Sequence, residues 1–273
     1  MSGTTKREAM RPADDELVGY FAKHLVPVLF TFEKEGQSHS AVMTTFVLSI
    51  TDQWFLVTAG HCIGEVEKAT TDYGYRIAAC YLIDSIGLDA EYQDPIPFAY
   101  EDSYPVPLSN DKDSDYGVIA LSPYYRQLLE KNNVQPLSEE VWKHQPRDVD
   151  FYCLLGVPGE LVRVDIGQVQ IATTLHRVEP LAERPSGFSE TDAPLFYGRV
   201  MLGEGVSSIG GMSGGPIFAF HQDHQGEPRY WLVALQSRWL PSSHCIAASP
   251  TKVLGDLLEI ALGEWRKLTG MNA

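Results

Sequence analysis

The chain has 273 residues, of which 44% are apolar and 21% are charged, so it can bury a globular core and is not an intrinsically disordered chain. It has 21 basic and 36 acidic residues, and the formal net charge of −15 disfavours binding to a nucleic-acid backbone. No apolar run approaches the length of a membrane-spanning helix, and the polar residues 1–15 contain no secretory signal, so we expect neither a nucleic-acid nor a membrane partner. The four cysteines form no CxxC pair, which predicts reduced thiols in a cytoplasmic protein.

The first half of the chain is predicted to contain one short helix followed by strands. Residues 14–24 have the pattern of a short amphipathic helix with acidic residues in its first turn. Segments rich in β-branched and aromatic residues then predict strands at 25–32, 42–50, 53–59, 75–83 and 116–121. Residues 84–116 are rich in acidic residues, proline and tyrosine with little periodicity, so we expect a long surface insertion there.

The second half is predicted to be strand-rich and to end in a helix. Short helices are expected within 123–143, a polar loop at 183–195, and strands at 151–156, at 161–172 and in the segments PLFYGRVM, GGPIFAF and RYWLVALQS. From 250 to 268, apolar residues recur at helical spacing after a proline, which indicates an amphipathic helix. Many short strands with one terminal helix predict a mostly antiparallel all-β architecture that follows an N-terminal polar segment at 1–24.

Three short stretches carry candidate chemistry. A strand within 55–59 ends in a turn that presents His61, Asp115 opens an apolar strand, and Ser213 lies among four glycines in the segment IGGMSGGP. A serine hydroxyl needs a neighbouring base to become nucleophilic, and a neutral imidazole can take its proton at pH 7. A buried carboxylate fixes the imidazole tautomer, and backbone N–H groups among glycines can bind the oxyanion of a tetrahedral intermediate. These residue types therefore predict nucleophilic catalysis by an activated serine.

The three stretches resemble the signatures of trypsin-like serine peptidases, which have the chymotrypsin fold. TAGHC is similar to the histidine motif of that family and GMSGGP to its serine motif, and the chain order of histidine, aspartate and serine is the same. The resemblance covers about residues 26–268. It implies a peptidase domain at 25–273, built of two antiparallel six-stranded β-barrels at about 25–122 and 145–249 and a C-terminal helix at 250–268.

The resemblance also implies a role for each residue of the site. His61 would be the general base, Asp115 its orienter and Ser213 the nucleophile, while the N–H groups of Gly211 and Ser213 would form the oxyanion hole. Asp113 is the alternative to Asp115, which directly abuts the buried strand. The serine also matches the G-x-S-x-G elbow of α/β-hydrolases, but that fold needs its acid and histidine after the serine and a helix directly behind it, where this chain has the strand-like GGPIFAF.

The chain departs from the secreted members of the family in three places. Cys62 follows the histidine as in those relatives, but the position of its usual disulfide partner is Phe46, and another common bridge position is Ile209. Secreted zymogens carry an aspartate before the serine, where this chain has Met212, which cannot form an ion pair. We therefore expect a reduced cytoplasmic enzyme that is not activated by N-terminal trimming. Its regulation would come from an activating protein partner, a loop rearrangement or substrate delivery.

The resemblance places four residues along the substrate. Ser207 would form the floor of the primary specificity pocket, Ser237 and Arg238 would lie beside the substrate backbone, and Trp239 occupies a position where many relatives keep a glycine. Because a serine floor offers no countercharge to lysine or arginine, we expect an uncharged, small or medium-sized apolar residue at P1.

No metal or cofactor is predicted. No recognisable metal motif is formed by His221, Asp223 and His224, or by these residues with His244 and Cys245 farther on. We therefore interpret 221–224 as part of a polar hairpin. The glycine-rich segment 203–210 is followed by no helix that could receive a phosphate, and it is expected to shape the oxyanion loop and the pocket wall.

The leading functional hypothesis is a serine endopeptidase that hydrolyses protein or peptide substrates through an acyl-enzyme. The alternative is a catalytically silent, trypsin-like binding module. A third hypothesis is an enzyme that stays latent until a partner orders its loops. Labelling of Ser213 by a fluorophosphonate probe distinguishes the three.

Overall fold

The computed structural model describes residues 14–86, 91–110, 114–165, 168–203 and 205–269. A helix, α1 (Asp14–Ala22), leads into an N-terminal lobe of two four-stranded antiparallel sheets, ordered β2-β1-β5-β6 and β3-β4-β8-β7. The strands of these sheets are β1 (Val28–Lys34), β2 (Gln37–Met43), β3 (Phe46–Ile50), β4 (Gln53–Thr58), β5 (Arg76–Leu82), β6 (Ile96–Pro97), β7 (Val106–Asn110) and β8 (Ser114–Ala120). A second helix, α2 (Gly60–Thr71), follows β4 and packs against β5, β7 and β8.

The C-terminal lobe is a closed barrel of six antiparallel strands in the order β12-β13-β16-β15-β14-β9. Its strands are β9 (Phe151–Gly156), β12 (Thr174–Pro180), β13 (Phe196–Met201), β14 (Pro216–Gln222), β15 (Pro228–Leu240) and β16 (Cys245–Pro250). A hairpin of β10 (Val162–Asp165) and β11 (Gln168–Ile171) is inserted between β9 and β12. Two short helices, α3 (Pro123–Lys131) and α4 (Glu139–Trp142), connect the lobes, and α5 (Thr251–Thr269) packs against α4 and β15.

Strand β4 shows how the two lobes are joined. Its residues alternate between two buried faces, because successive side chains of a strand point to opposite sides. Trp54 and Leu56 belong to the core between the two N-terminal sheets, whereas Phe55 and Val57 belong to a cluster that also contains Phe218 of the barrel. Because both faces are buried, the strand reads as a continuous apolar run in the sequence.

The predicted all-β class with a short N-terminal and a longer C-terminal helix is confirmed. Several element predictions were wrong in detail. The single strand expected at 42–50 is interrupted at Thr44 and Thr45, and the strand expected at 161–172 is the hairpin β10–β11. Helix α2 and strands β7, β12 and β16 were not predicted. The described helices include none that is both long and apolar enough to cross a membrane.

Candidate active site

Two neighbouring strands bring His61 and Asp115 together. β4 pairs with β8, with Thr58 opposite Gly117, so the residue that opens β8 lies beside the segment that follows β4. His61 is in the first turn of α2 rather than in the simple turn that the sequence predicted. Gly60 allows this close approach, because a Cβ there would lie 2.7 Å from the Tyr116 carbonyl oxygen.

The Asp115 carboxylate holds the histidine at two points. Its Oδ2 lies 2.6 Å from His61 Nδ1, and its Oδ1 accepts the His61 backbone N–H at 2.8 Å. The Asp115 side chain is only 15% exposed, whereas the His61 side chain is 39% exposed. The Asp115 backbone N–H donates to the Ser249 hydroxyl, which comes from β16 of the other lobe. The competing carboxylate, Asp113, lies outside the described residues.

These contacts favour the charged form of the imidazole. The hydrogen bond to Asp115 raises the pKa of His61 well above its ordinary value of 6.5, and a contact with Cys62 adds to this effect. Burial opposes the rise, because it penalises charge. A carboxylate at Nδ1 therefore stabilises the imidazolium that forms when Nε2 takes a proton.

Ser213 lies in a turn that needs glycine at two positions. Gly211 has φ +93° and Gly214 has φ +90°, a region that L side chains rarely adopt. A Cβ on Gly214 would lie 2.3 Å from Thr58 Oγ1, and one on Gly211 would lie 2.7 Å from the Gly159 nitrogen. The turn is fastened to β15 by hydrogen bonds from Gly214 N–H to the Gln236 carbonyl and from Gln236 N–H to the Gly215 carbonyl.

The backbone N–H groups of Gly211 and Ser213 are the predicted oxyanion donors of the turn. Gly159 N–H donates to the Gly210 carbonyl at 2.7 Å. Since C=O and N–H point in opposite directions across a trans peptide, the Gly211 N–H faces away from Gly159. In the described part of the chain, neither Gly211 N–H nor Ser213 N–H has an acceptor. The oxyanion-binding role of these two N–H groups stays a prediction.

The imidazole and the serine hydroxyl are not hydrogen-bonded to each other among the described residues. Instead, the Cys62 sulfur lies 3.6 Å from His61 Nε2 and 3.8 Å from the Ser213 carbonyl oxygen. Cys62 is half-buried, and it thus lies between the base and the backbone of the nucleophile. Catalytic hydrogen bonds are often long in unliganded enzymes and tighten when substrate binds.

The predicted substrate-binding residues lie on two sides of the Ser213 turn. The Ser207 hydroxyl and N–H both donate to the Glu160 carboxylate at 2.6 Å, and Ser208 N–H donates to it at 3.2 Å. Glu160 is exposed, and the hydrogen bonds from Ser207 lower its pKa. This carboxylate beside the predicted pocket floor was not anticipated, because nothing in the local sequence of Glu160 relates it to Ser207.

The other three predicted residues are in β15. Ser237 is buried at a β-bulge, where its hydroxyl donates to the Ala247 carbonyl, and Arg238 and Trp239 follow it half-buried. The pairing of β14 with β15 ends at Leu235, so the described strands bordering Arg238 and Trp239 comprise β16 alone. No described strand pairs with the remaining edge of this segment, which follows Gln236, the residue hydrogen-bonded to the Ser213 turn.

Buried apolar side chains occupy the positions at which the chain departs from secreted relatives. Met212 is fully buried and contacts Gly156, where a Cβ would lie 3.0 Å from the Met212 methyl. Phe46 and Ile209 are also buried, and all four cysteines carry free thiols. Met212 therefore holds its position before Ser213 by apolar packing and not through an ion pair.

Three of the residues that were weighed as metal ligands, His221, Asp223 and His244, have local contacts. Asp223 accepts the N–H groups of Gln225 and Glu227 in its own hairpin, and His221 Nδ1 lies 3.3 Å from Asp150. His244 stacks on Trp239 with ring centroids 5.8 Å apart. Within the described residues, no three or more His, Cys, Asp or Glu side chains form a group that could hold a metal ion.

Comparison with solved structures agrees with the architecture. An inactivated protease paralogue of the scabies mite has a TM-score of 0.54 and 16% identity, over 89% of this chain and 95% of that one. The chain has the fold of trypsin-like serine proteases. The Rv3671c protease of M. tuberculosis in its active form is 16% identical, with a TM-score of 0.45 over 95% of this chain and 93% of that one. Deg5 is 15% identical, with a TM-score of 0.45 over 90% and 94%. No protein-family model and no curated protein matches the chain.

Proposed function

We propose that this chain is a serine endopeptidase that hydrolyses peptide bonds through an acyl-enzyme. The observation that carries the proposal is the arrangement of His61 and Asp115 beside a glycine-rich turn at Ser213. The imidazole is fixed by a 2.6 Å contact and a backbone hydrogen bond to one carboxylate. The turn holds two backbone donors that have no other acceptor among the described residues. These features support the assignment of a base, its orienter, a nucleophile and an oxyanion site to one place in the fold.

The reaction has two halves, formation of the acyl-enzyme and its hydrolysis, and each of these groups acts in both. Ser213 Oγ attacks the scissile carbonyl carbon while His61 Nε2 takes the hydroxyl proton. The carbonyl oxygen becomes an oxyanion, which accepts hydrogen bonds from the N–H groups of Gly211 and Ser213. His61 then gives the proton to the leaving amine, and the acyl-enzyme remains. In the second half, water takes the place of the serine hydroxyl, and His61 returns a proton to Ser213 Oγ as the carboxylate product leaves.

Substrate recognition follows from the open edge of β15. An extended peptide can pair with the backbone at Arg238 and Trp239 and so bring its scissile bond to Ser213. We retain an uncharged P1 residue as our expectation, although Glu160 lies beside Ser207. The Glu160 carboxylate already accepts three hydrogen bonds from the loop and is exposed, so solvent screens its charge.

We also propose a reducing, cytoplasmic location and control that does not depend on cleavage of the N-terminus. Four free thiols are typical of a reducing compartment. Met212 holds the turn by apolar packing, with no need for a new N-terminus. Activation would then consist in bringing Ser213 Oγ to His61 Nε2, through substrate binding, a loop rearrangement or a protein partner.

A catalytically silent binding module is the second candidate. One observation favours it: Cys62, rather than the Ser213 hydroxyl, lies beside His61 Nε2. In such a protein the open edge of β15 would still bind an extended peptide, but no acyl-enzyme would form.

A fluorophosphonate probe tests the proposal on the full-length chain. We expect the wild type and Ser242→Ala, an exposed serine of the 240s loop, to be labelled equally. Ser213→Ala should not be labelled and should lose about 10⁶-fold in peptide hydrolysis. Labelling that persists in Ser213→Ala contradicts the nucleophile. A wild type that is not labelled with or without cell extract supports the binding module, and labelling that needs the extract indicates a partner-dependent enzyme.

A further inference from the structure

A threonine of the N-terminal lobe reaches across to the turn that carries the oxyanion donors. Thr44 lies at the break between β2 and β3 and is fully buried. Its hydroxyl donates to the Gly211 carbonyl at 2.8 Å and accepts the Val157 N–H at 3.3 Å. Its own carbonyl accepts the Thr58 hydroxyl at 2.9 Å. Thr44 thus joins three places at one point: its side chain contacts the residue after β9 and the Ser213 turn, and its carbonyl contacts the end of β4.

These bonds fix both peptide units that flank Gly211. The Gly210 carbonyl, on one side, is held by Gly159 N–H at 2.7 Å, and the Gly211 carbonyl, on the other, is held by Thr44. Gly211 itself has φ +93° and no side chain, so nothing within the residue prevents rotation of either peptide. The orientation of its N–H therefore depends on these two outside contacts and on one contact within the turn, the hydrogen bond from Met212 N–H to the Ile209 carbonyl at 3.0 Å.

The two contacts differ in origin. Gly159 belongs to the same lobe as the turn, whereas Thr44 belongs to the lobe that carries His61 and Asp115. The Thr44 hydroxyl is thus the one side-chain group of the N-terminal lobe that is hydrogen-bonded to the Gly211 peptide among the described residues. This hydrogen bond therefore links the peptide of the predicted oxyanion donor directly to the lobe of the base, alongside the Asp115–Ser249 contact between the lobes.

We propose that Thr44 is a positioning residue that orients the Gly211 N–H toward the oxyanion and ties it to the lobe of the general base. This inference rests on the proposed peptidase function and deepens it. Thr44 does not touch the substrate, and it acts through the Gly211 peptide. Because loss of an oxyanion donor costs about 10²–10³-fold in rate, misorientation of one donor should cost about tenfold or more.

The adjacent Thr45 provides a matched control. It is equally buried, and its hydroxyl also donates to a backbone carbonyl, that of Val26, but it makes no contact with the Ser213 turn. Loss of the Thr45 hydroxyl leaves the buried Val26 carbonyl without its donor, and loss of the Thr44 hydroxyl leaves the buried Val157 N–H without its acceptor, so both losses should disturb folding. Only the loss at Thr44 should disturb the reaction in the molecules that do fold.

The experiment measures inactivation by a fluorophosphonate, whose phosphoryl oxygen takes the place of the oxyanion. The maximal inactivation rate constant and the half-saturating concentration are determined for Thr44→Val, Thr44→Ala, Thr44→Ser and the same three variants at Thr45. We expect Thr44→Val and Thr44→Ala to lower the rate constant about tenfold or more, with little change in the half-saturating concentration. Thr44→Ser, which keeps the hydroxyl, should restore the rate, and the Thr45 series should resemble the wild type.

The serine and alanine variants keep the test decisive if Thr44→Val does not fold, because both lose the same methyl group and differ only in the hydroxyl. Equal rates for Thr44→Ser and Thr44→Ala, or equal losses at Thr44 and Thr45, overturn the inference and leave the peptidase function standing. A change confined to the half-saturating concentration also overturns it. A wild type that does not react removes the proposed function and this inference with it.

Discussion

His61 and His24 lie in the same lobe and in opposite environments. His61 is 39% exposed on its side chain and has the Asp115 carboxylate at 2.6 Å, and its pKa is raised. His24 is 3% exposed, its Nδ1 lies 2.7 Å from the Gln135 carbonyl oxygen, and its buried Nε2 has no hydrogen-bond partner among the described residues. Burial lowers the pKa of His24 to about 4.

The difference separates a histidine that can exchange a proton from one that cannot. A charge on His61 is stabilised by a carboxylate, and its Nε2 faces Cys62, which in turn contacts the nucleophile turn. A charge on His24 would be buried beside a single neutral acceptor, so the ring stays neutral and its Nδ1–H ties residue 24 to the segment before α4. Exposure and the charge of the partner therefore distinguish the two roles.

Replacement of Asp115 by asparagine breaks this distinction most strongly. In Asp115→Asn the amide nitrogen can donate to His61 Nδ1, which then has no proton, and the proton moves to Nε2. The imidazole can no longer accept the Ser213 proton, and we expect kcat to fall about 10⁴-fold with little change in KM. The pKa of His61 should also fall, because its largest raising contact is lost. Steady-state kinetics measure the first effect and NMR titration of the ring measures the second.

Asp150→Asn is the matched control, since Asp150 lies 3.3 Å from His221 on the surface. It should leave both kcat and the His61 titration unchanged. If Asp115→Asn retains wild-type kcat, the carboxylate does not orient the base, and the assignment of Asp115 is wrong.

Lowering the pH should destabilise the folded chain through His24, whose pKa is lowered where that of His61 is raised. Its folded pKa of about 4 lies below the ordinary value of 6.5, so between these values the unfolded chain binds a proton that the folded chain does not. Stability contributed by neutral His24 is complete above pH 6.5 and is lost as pH falls toward 4. At about 1.4 kcal/mol per pKa unit, we expect a loss of about 3 kcal/mol from the free energy of unfolding.

Urea unfolding at several pH values between 4 and 7 measures this loss by comparison of the wild type with His24→Gln. The variant should lose about 3 kcal/mol less over the same range, because its amide does not titrate. His39→Gln, which removes an exposed histidine, should follow the wild type. Parallel curves for wild type and His24→Gln would show that His24 is charged in the folded state at these pH values.

The sequence identifies the candidate catalytic residues but not the residues that hold their surroundings in place. TAGHC and GMSGGP are local patterns whose chemistry can be read from neighbouring residues, and each borders a strand that the sequence predicted, β4 and β14. Thr44 and Glu160 act through partners that are distant in the chain, Gly211 and Ser207, so no local pattern identifies them. The apolar run at 42–50 even concealed Thr44, because a continuous β-branched segment predicts one strand.

Element boundaries failed where tertiary contacts decide them. Residues 60–71 contain glycine, β-branched residues and few apolar positions, so they gave no helical signal, although Ile63 and Val66 bury one face of α2 against the lobe. The sequence did not predict β16 because its small side chains have little strand propensity. It is a strand because it pairs with β13 and β15 and so closes the barrel.

The smallest expected effect concerns Cys62, the side chain that lies between His61 and the Ser213 turn. A thiol makes only weak hydrogen bonds, so we expect Cys62→Ala to change the fluorophosphonate rate by about threefold or less, equivalent to about 0.6 kcal/mol. Alkylation has a different consequence, because a maleimide on the sulfur fills the space beside His61 Nε2. N-ethylmaleimide should therefore inactivate the wild type and spare Cys62→Ala.

Selectivity for Cys62 follows from burial, since Cys80, Cys153 and Cys245 are between 0% and 7% exposed whereas Cys62 is half-buried. Intact mass spectrometry should find one adduct in the wild type and none in Cys62→Ala over the same time. A single adduct on Cys62 that leaves labelling of Ser213 unaffected would mean that the sulfur does not share the space between base and nucleophile. The environment of His61 would then be defined by Asp115 alone, and the contact at Nε2 would not limit access of the serine to the base.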